Sequence, residues 1–259
     1  NNPSALNTLS GLVVGTNIGS DIFQQNFLLP VMALVGTIVI VRRNLFSEMG
    51  GLLAAALLVW LFSFGGFISR LEGGVLLLAY IGYLMYLRKS NINVELKAEN
   101  HLSKRKVVFA LGLVGIGFVI MAIAADRVLD AATILVESST TISASFFGVI
   151  VLGIASALPE LVTALVATLK KKQSMSAGIL IGSNITNPLF GIGIGALIST
   201  YTIPEVVILY DLPFKVLTAG MIYYFLWRTQ DLKKWESISL IILFVAYIVV
   251  RQVYFPVDF

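Results

Sequence analysis

The stretch from Gly148 to Gly195 reads GVIVLGIASALPELVTALVATLKKKQSMSAGILIGSNITNPLFGIGIG, and it decides the fold. Two apolar segments meet at a short basic turn, and each carries a polar cluster about ten residues from it, which at ~1.5 Å per residue is half of a ~30 Å hydrocarbon core. The clusters are Ser156, Pro159 and Glu160 before the turn and Ser183, Asn184 and Asn187 after it. A carboxylate near the middle of a membrane costs roughly 2.5 kcal/mol or more and marks an ion or substrate pathway by default.

The composition is that of one integral membrane domain. The chain is 58% hydrophobic and 12% charged, whereas a soluble domain carries about 25% charged residues. It has no cysteine, and its single histidine, His101, lies in a polar loop, which excludes thiolate and His-based metal sites. We see no nucleophile–base pair, so we predict no enzyme activity and no cofactor. The net charge of +4 does not require a nucleic-acid partner.

Apolar runs of spanning length predict an all-α membrane bundle of eight helices. The predicted segments are 11–41, 50–69, 73–88, 107–136, 142–169, 175–199, 212–228 and 236–255. The longest hydrophilic stretch, residues 89–106, separates a front group of three segments from a back group of five.

The basic residues are distributed unevenly between the two sides of this bundle. One side collects 14 of the 18 lysines and arginines, including those of the 89–106 loop. The other side has Arg70, Arg127, Lys215 and Arg251. Because cytoplasmic loops carry the excess of Lys and Arg, we expect the 89–106 loop to be cytoplasmic and the C-terminus to be on the outer side. The expected location is the cell membrane, which is the inner membrane where there are two. In this interpretation Asp211 caps the start of the seventh helix.

The sequence contains an internal repeat. The first segment carries GTNIGSDIFQQNF (15–27) and the sixth carries GILIGSNITNPLF (178–190), with Gly19 aligned to Gly182 and Ser20 to Ser183 at one constant spacing. The charge pattern gives the two copies opposite orientations. Inverted repeats with interrupted polar helices at the midplane are typical of secondary transporters.

The same spacing places the counterpart of Glu160 before Asn1. We therefore expect about two further spanning helices, with a second Pro-Glu motif, to precede this segment in the parent protein. The glycine pairs at 15/19 and 178/182 predict either helix-packing faces or sites of local unwinding.

The polar residues of the two repeats form a ligand set that suits a hard cation. Pro159 cannot hydrogen-bond the carbonyl of Ala155, and such freed oxygens are tolerated where they line a cavity. Ser183 and Asn187 lie four residues apart on one helix face, and Ser20 and Gln24 repeat that spacing. Calcium takes ~6–8 oxygen ligands, and sodium accepts a similar set. The predicted set is Glu160, Ser156, Ala155, Ser183, Asn184, Asn187, Ser20, Asp21 and Gln24.

These motifs resemble those of the calcium/cation antiporter superfamily, which includes sodium/calcium exchangers. The matching stretches are ASALPE (155–160), GSNITN (182–187) and GSDIFQ (19–24), and the order of segments is similar across nearly the whole chain. The resemblance implies ten helices, of which eight are present here. Residues 1–88 would be the remainder of the first repeat half (helices 3–5), and residues 107–259 the second half (helices 6–10).

The resemblance also implies alternating access, with Ca²⁺ and Na⁺ competing at a central site where Glu160 is the main calcium-binding carboxylate. The chain departs from the family pattern: Ala157 replaces a motif serine, Asp21 stands where Asn is usual, and Asn187 replaces an Asp found in some members. These departures leave proton-coupled Ca²⁺ exchange open as an alternative. A membrane scaffold or sensor that kept the fold without transport is an alternative of another class.

Overall fold

The computed structural model describes residues 3–36, 42–89, 104–139 and 143–258. The described chain forms eight helical rods, which confirms the all-α prediction. The rods are α1 (Pro3–Phe23) with α2 (Leu29–Val35), α3 (Arg42–Ser63), α4 (Arg70–Lys89), α5 (Lys104–Ser138), α6 (Ala144–Phe146) with α7 (Gly153–Ser156) and α8 (Leu158–Leu169), α9 (Gln173–Thr186) with α10 (Gly193–Ile198), α11 (Leu212–Thr229), and α12 (Lys234–Tyr254). Most of the predicted cytoplasmic loop, residues 90–103, lies outside the described residues.

Four π-helical turns interrupt these rods. They are π1 (Gln24–Leu28), π2 (Phe147–Leu152), π3 (Asn187–Ile192) and π4 (Val207–Asp211). π1 and π3 begin at residues that the internal repeat aligns, Gln24 and Asn187. Pro188 has no N–H to donate to the carbonyl four residues before it, so the regular α-helical ladder cannot pass through π3. Such single π turns are frequent at functional sites.

Six of the described helices are long and apolar enough to cross a membrane. They are 45–63, 70–89, 107–138, 144–169, 174–198 and 234–254. The other two rods, 3–35 and 207–229, carry three of the buried charged residues, Asp21, Asp211 and Lys215.

Three predicted segments differ from the structure by more than three residues at a boundary. The first rod covers residues 3–35 instead of 11–41. The second helix covers Arg42–Ser63 instead of 50–69, and residues Phe67–Ile68 form a short strand, β1, that pairs antiparallel with β2 (Tyr201–Thr202). The seventh rod begins with π4 at Val207, before the predicted start at 212. Asp211 therefore lies inside a helix and makes no side-chain cap hydrogen bond, so its predicted capping role is wrong.

Glycines bring α1 against the rod that starts with α6. A Cβ on Gly19 would overlap the main-chain carbonyl of Val149, and a Cβ on Gly153 would lie 2.7 Å from the carbonyl carbon of Gly19. The first glycine pair is thus a helix-packing face of the small-residue type. In contrast, a Cβ on Gly178 or Gly182 would meet no atom within 4 Å. The second pair is not a packing face among the described residues.

A buried ionic cluster fixes the end of α12. The Nε of Arg251 lies 3.2 Å from Oδ1 of Asp211, and the hydroxyl of Tyr247 donates to the same oxygen at 2.6 Å. A guanidinium NH₂ of Arg251 also donates to Oγ of Ser145 at 2.6 Å, at the start of the α6 rod. Arg251 is fully buried. Its charge therefore balances an internal carboxylate and does not face the membrane surface.

Candidate cation site

A polar cavity of about 200 Å³ lies between α1 and the two rods that flank the basic turn at residues 170–172. It is lined by Val13, Thr16, Asn17, Ser20, Ser156, Glu160 and Asn187. Ser156 and Glu160 flank the break at Ala157, where α7 ends and α8 begins before Pro159. The break lets the chain present a hydroxyl and a carboxylate to the same space. Apart from one valine, every lining residue offers a side-chain oxygen.

A network of hydrogen bonds connects Glu160 to side chains outside the cavity lining. Ser183 donates its hydroxyl to Oε1 of Glu160 at 3.4 Å. Gln24 donates to Oγ of Ser183 at 3.3 Å and to Oγ of Ser20 at 3.0 Å, and it accepts from Asn184 at 3.3 Å. Gln24 and Asn184 are buried. The two repeats therefore meet through this network, with each copy of the repeat supplying an amide and a hydroxyl.

Two buried oxygen atoms of the cavity residues lack a hydrogen-bond partner. They are Oε2 of Glu160 and Oδ1 of Asn17. The amide nitrogen of Asn17 is engaged, because it donates to the main-chain oxygen of Asn187 at 2.9 Å. Buried acceptors without a donor are costly, and an oxygen-binding cation would satisfy both.

Asp21 is held by a lysine. Nζ of Lys215 lies 2.5 Å from Oδ2 of Asp21, and both side chains are fully buried. The other carboxylate oxygen of Asp21 accepts a hydrogen bond of 2.9 Å from Nδ2 of Asn187. Asn187 in turn lines the cavity. The carboxylate of Asp21 is thus one side chain away from the cavity, and a cation of the protein itself already neutralises it.

The structure sorts the predicted ligands into two groups. Ser20, Ser156, Glu160 and Asn187 line the cavity. The remaining predicted residues lie outside that lining: Ser183, Gln24, Asn184 and Asp21 connect to it through hydrogen bonds, and Ala155 is an exposed residue next to Ser156.

Three polar residues at the site were not predicted from the sequence: Thr16, Asn17 and Lys215. Asn17 lines the cavity, but the repeat aligns it with Leu180, so comparison of the two copies gives it no polar counterpart. Lys215 was assigned to the outer surface because the seventh helix was predicted to begin at 212. With the helix running from π4, Lys215 is eight residues past Val207, roughly 12 Å along the axis. A lysine at that depth needs an internal partner.

The comparisons with known proteins agree with this architecture. The sequence matches the profile of the family described as sodium/calcium exchanger protein over residues 4–89 and 109–253. The inner membrane protein YrbG of Escherichia coli (strain K12) is 26% identical over 234 residues, which is 87% of this chain and 72% of YrbG. The sodium/calcium exchanger MaX1 of Methanosarcina acetivorans is 28% identical over 103 residues, covering 40% of this chain and 29% of MaX1.

The fold is also that of a solved exchanger. The sodium-calcium exchanger NCX_Mj, in crystals soaked with Na⁺ and Sr²⁺, superposes with a TM-score of 0.69 at 23% identity, covering 95% of this chain and 80% of NCX_Mj. At that identity the likeness shows the fold alone. The family profile, however, matches nearly the whole chain. This chain therefore belongs to the sodium/calcium exchanger protein family, whose members are membrane ion exchangers and not enzymes.

Proposed function

We propose that this protein is a secondary active antiporter that exchanges Ca²⁺ for Na⁺ by alternating access at the cavity around Glu160. The observation that carries the proposal is the pair of unpartnered buried oxygens, Oε2 of Glu160 and Oδ1 of Asn17, which belong to residues lining one cavity. A carboxylate oxygen without a donor is costly in a membrane protein, and a cation that visits the cavity would offset that cost.

The donor set fits calcium and sodium. Glu160 contributes the charge, and carbonyl or hydroxyl oxygens are available from Asn17, Ser20, Ser156 and Asn187. Calcium binds ~6–8 oxygens at about 2.3–2.6 Å, with water completing incomplete protein shells. A cavity of about 200 Å³ has room for an ion and a few waters, each taking about 30 Å³. Sodium prefers the same oxygen ligands with less negative charge, so the two ions compete for Glu160.

The inverted repeat supplies the means of coupling. The two copies meet next to this cavity through Gln24, Ser183 and Asn184, at the ends of interrupted helices. Rocking of one half against the other would expose such a site to each side of the membrane in turn. In this proposal residues 1–88 and 107–259 are the two halves, and the protein lies in the inner membrane with its basic loops in the cytoplasm and its C-terminus outside.

Uptake of radiolabelled Ca²⁺ into liposomes carrying the complete protein tests the proposal. Either a Na⁺ gradient or a pH gradient is imposed, with protein-free liposomes as the control. We expect Ca²⁺ uptake that follows the Na⁺ gradient. Uptake driven only by the pH gradient would assign the protein to proton-coupled Ca²⁺ exchange. The absence of uptake under both gradients would favour a membrane scaffold or sensor.

A further inference from the structure

The buried ion pair between Asp21 and Lys215 touches the cation site. The 2.5 Å contact joins Oδ2 of Asp21 to the ammonium, while Oδ1 accepts from the amide nitrogen of Asn187. That hydrogen bond commits the nitrogen end of the Asn187 side chain to Asp21. It leaves the amide oxygen of Asn187 as the end available to an ion in the cavity. Asp21 therefore orients a cavity ligand without facing the cavity itself.

The internal repeat contains an uncharged counterpart of this pair. The repeat spacing aligns Asp21 with Asn184 and extends to align Lys215 with Leu52. Asn184 and Leu52 are both buried and line one small cavity between the two halves. An uncharged amide and a leucine thus fill the equivalent positions. Because a buried ion pair is often no more stable than apolar side chains of similar volume, stability alone does not explain the charges of Asp21 and Lys215.

We propose that the Lys215 ammonium permanently neutralises the carboxylate of Asp21. It thereby sets how many positive charges the cation site binds. With Asp21 neutralised, Glu160 is the one uncompensated carboxylate among the described residues that line or adjoin the cavity. Removing the ammonium would leave a second free carboxylate beside Asn187. This inference rests on the proposed function, because it concerns the charge balance of the same cation site.

The substitutions that test it introduce the residues found at the aligned positions of the internal repeat. Lys215→Leu introduces the residue found at position 52, Asp21→Asn introduces the residue found at position 184, and the double variant combines them. Each is made in the complete protein. Equilibrium binding of radiolabelled Ca²⁺ and Na⁺ is measured on purified protein, and the charge moved per Ca²⁺ is measured from the reversal potential of flux in liposomes.

The single variants should shift binding in opposite directions. Lys215→Leu should bind Ca²⁺ about tenfold more tightly. Where this variant also takes up one further Na⁺, the charge moved per Ca²⁺ should change by one. Asp21→Asn should bind Ca²⁺ about tenfold more weakly, because an unpaired ammonium then repels the ion. The double variant should return to within about threefold of the wild type, since the net charge is restored.

A purely structural ion pair would behave differently. Both single variants would then lose thermal stability, and the double variant would regain it. All three folded variants would bind Ca²⁺ and Na⁺ as the wild type does, and that result would overturn the inference. If Lys215→Leu cannot be purified, unchanged Ca²⁺ affinity in Asp21→Asn has the same meaning. A wild type that binds ions but transports none would overturn only the antiporter proposal. A wild type that binds neither ion would overturn both.

Discussion

Replacing Glu160 with Gln removes one charge from the cation site and almost nothing from the fold. Glutamine keeps the length of the side chain and one oxygen, so the shape of the cavity is retained. The hydrogen bond from Ser183 to Oε1 is long, at 3.4 Å, and Oε2 has no partner at all. Glu160 therefore makes few contacts that support folding.

The expected magnitudes follow from these contacts. A hydrogen bond near the distance limit contributes less than about 1 kcal/mol to stability. Removing a partly buried carboxylate also removes its desolvation cost, so the thermal midpoint should stay the same or rise slightly. Binding of a divalent ion loses its charged ligand, which costs about 3 kcal/mol or more and corresponds to a loss of affinity of about a hundredfold or more.

The assay pairs binding of radiolabelled Ca²⁺ with a thermal melt of the same purified protein. Glu205→Gln is the matched control, because Glu205 is an exposed carboxylate two residues before π4 and is not one of the residues that line the cavity. We expect Glu160→Gln to melt like the wild type and to lose Ca²⁺ binding and uptake, while the control keeps both. Wild-type Ca²⁺ affinity in a folded Glu160→Gln variant would refute the assignment of the site.

Three further perturbations test the fold and the site. Arg251→Met should lower the free energy of unfolding by about 3–5 kcal/mol in a denaturation experiment, because the buried carboxylate of Asp211 loses its cation; a loss below about 1 kcal/mol would contradict this. Gly19→Ala should lower the free energy of unfolding by about 2 kcal/mol or more. Gly182→Ala, at the aligned position with open space around it, should lower it by less than about 1 kcal/mol. Equal melting points for the two variants would argue against a packing face at Gly19. Asn187→Asp places a second carboxylate against the buried carboxylate of Asp21. It should therefore raise the affinity for radiolabelled Ca²⁺ and lower the melting temperature measured without Ca²⁺. A melting temperature that Ca²⁺ does not change would contradict this.

The helices and the repeat were predictable because hydrophobic length and internal similarity are properties of the sequence itself. Eight apolar runs give eight rods, and the motifs around Ser20 and Ser183 meet as the inverted repeat requires. The predicted membership of the calcium/cation antiporter superfamily is confirmed by the family match. The roles of the individual ligands remain predictions.

The errors arose where two local signals competed. Asp211 followed by Pro213 is typical of a helix start, yet Pro204 stands before the true start and π4 carries the helix past the second proline. Because the seventh helix was predicted to begin at residue 212, Lys215 was placed near the helix end and not inside the bundle. The ion pair with Asp21 joins residues far apart in the sequence, and no periodicity within either helix indicates such a contact.

The matched positions of π1 and π3 bear on the history of the protein. A π turn holds an extra residue in a helical turn, and it is rarely retained without a reason. Here the wide turn begins at Gln24 in one copy and at Asn187 in the other, although the two sequences share few residues beyond that point. The most economical account is that an ancestral half-length chain already contained the wide turn before its gene was duplicated. The two copies then diverged in charge while inheriting the same irregular backbone.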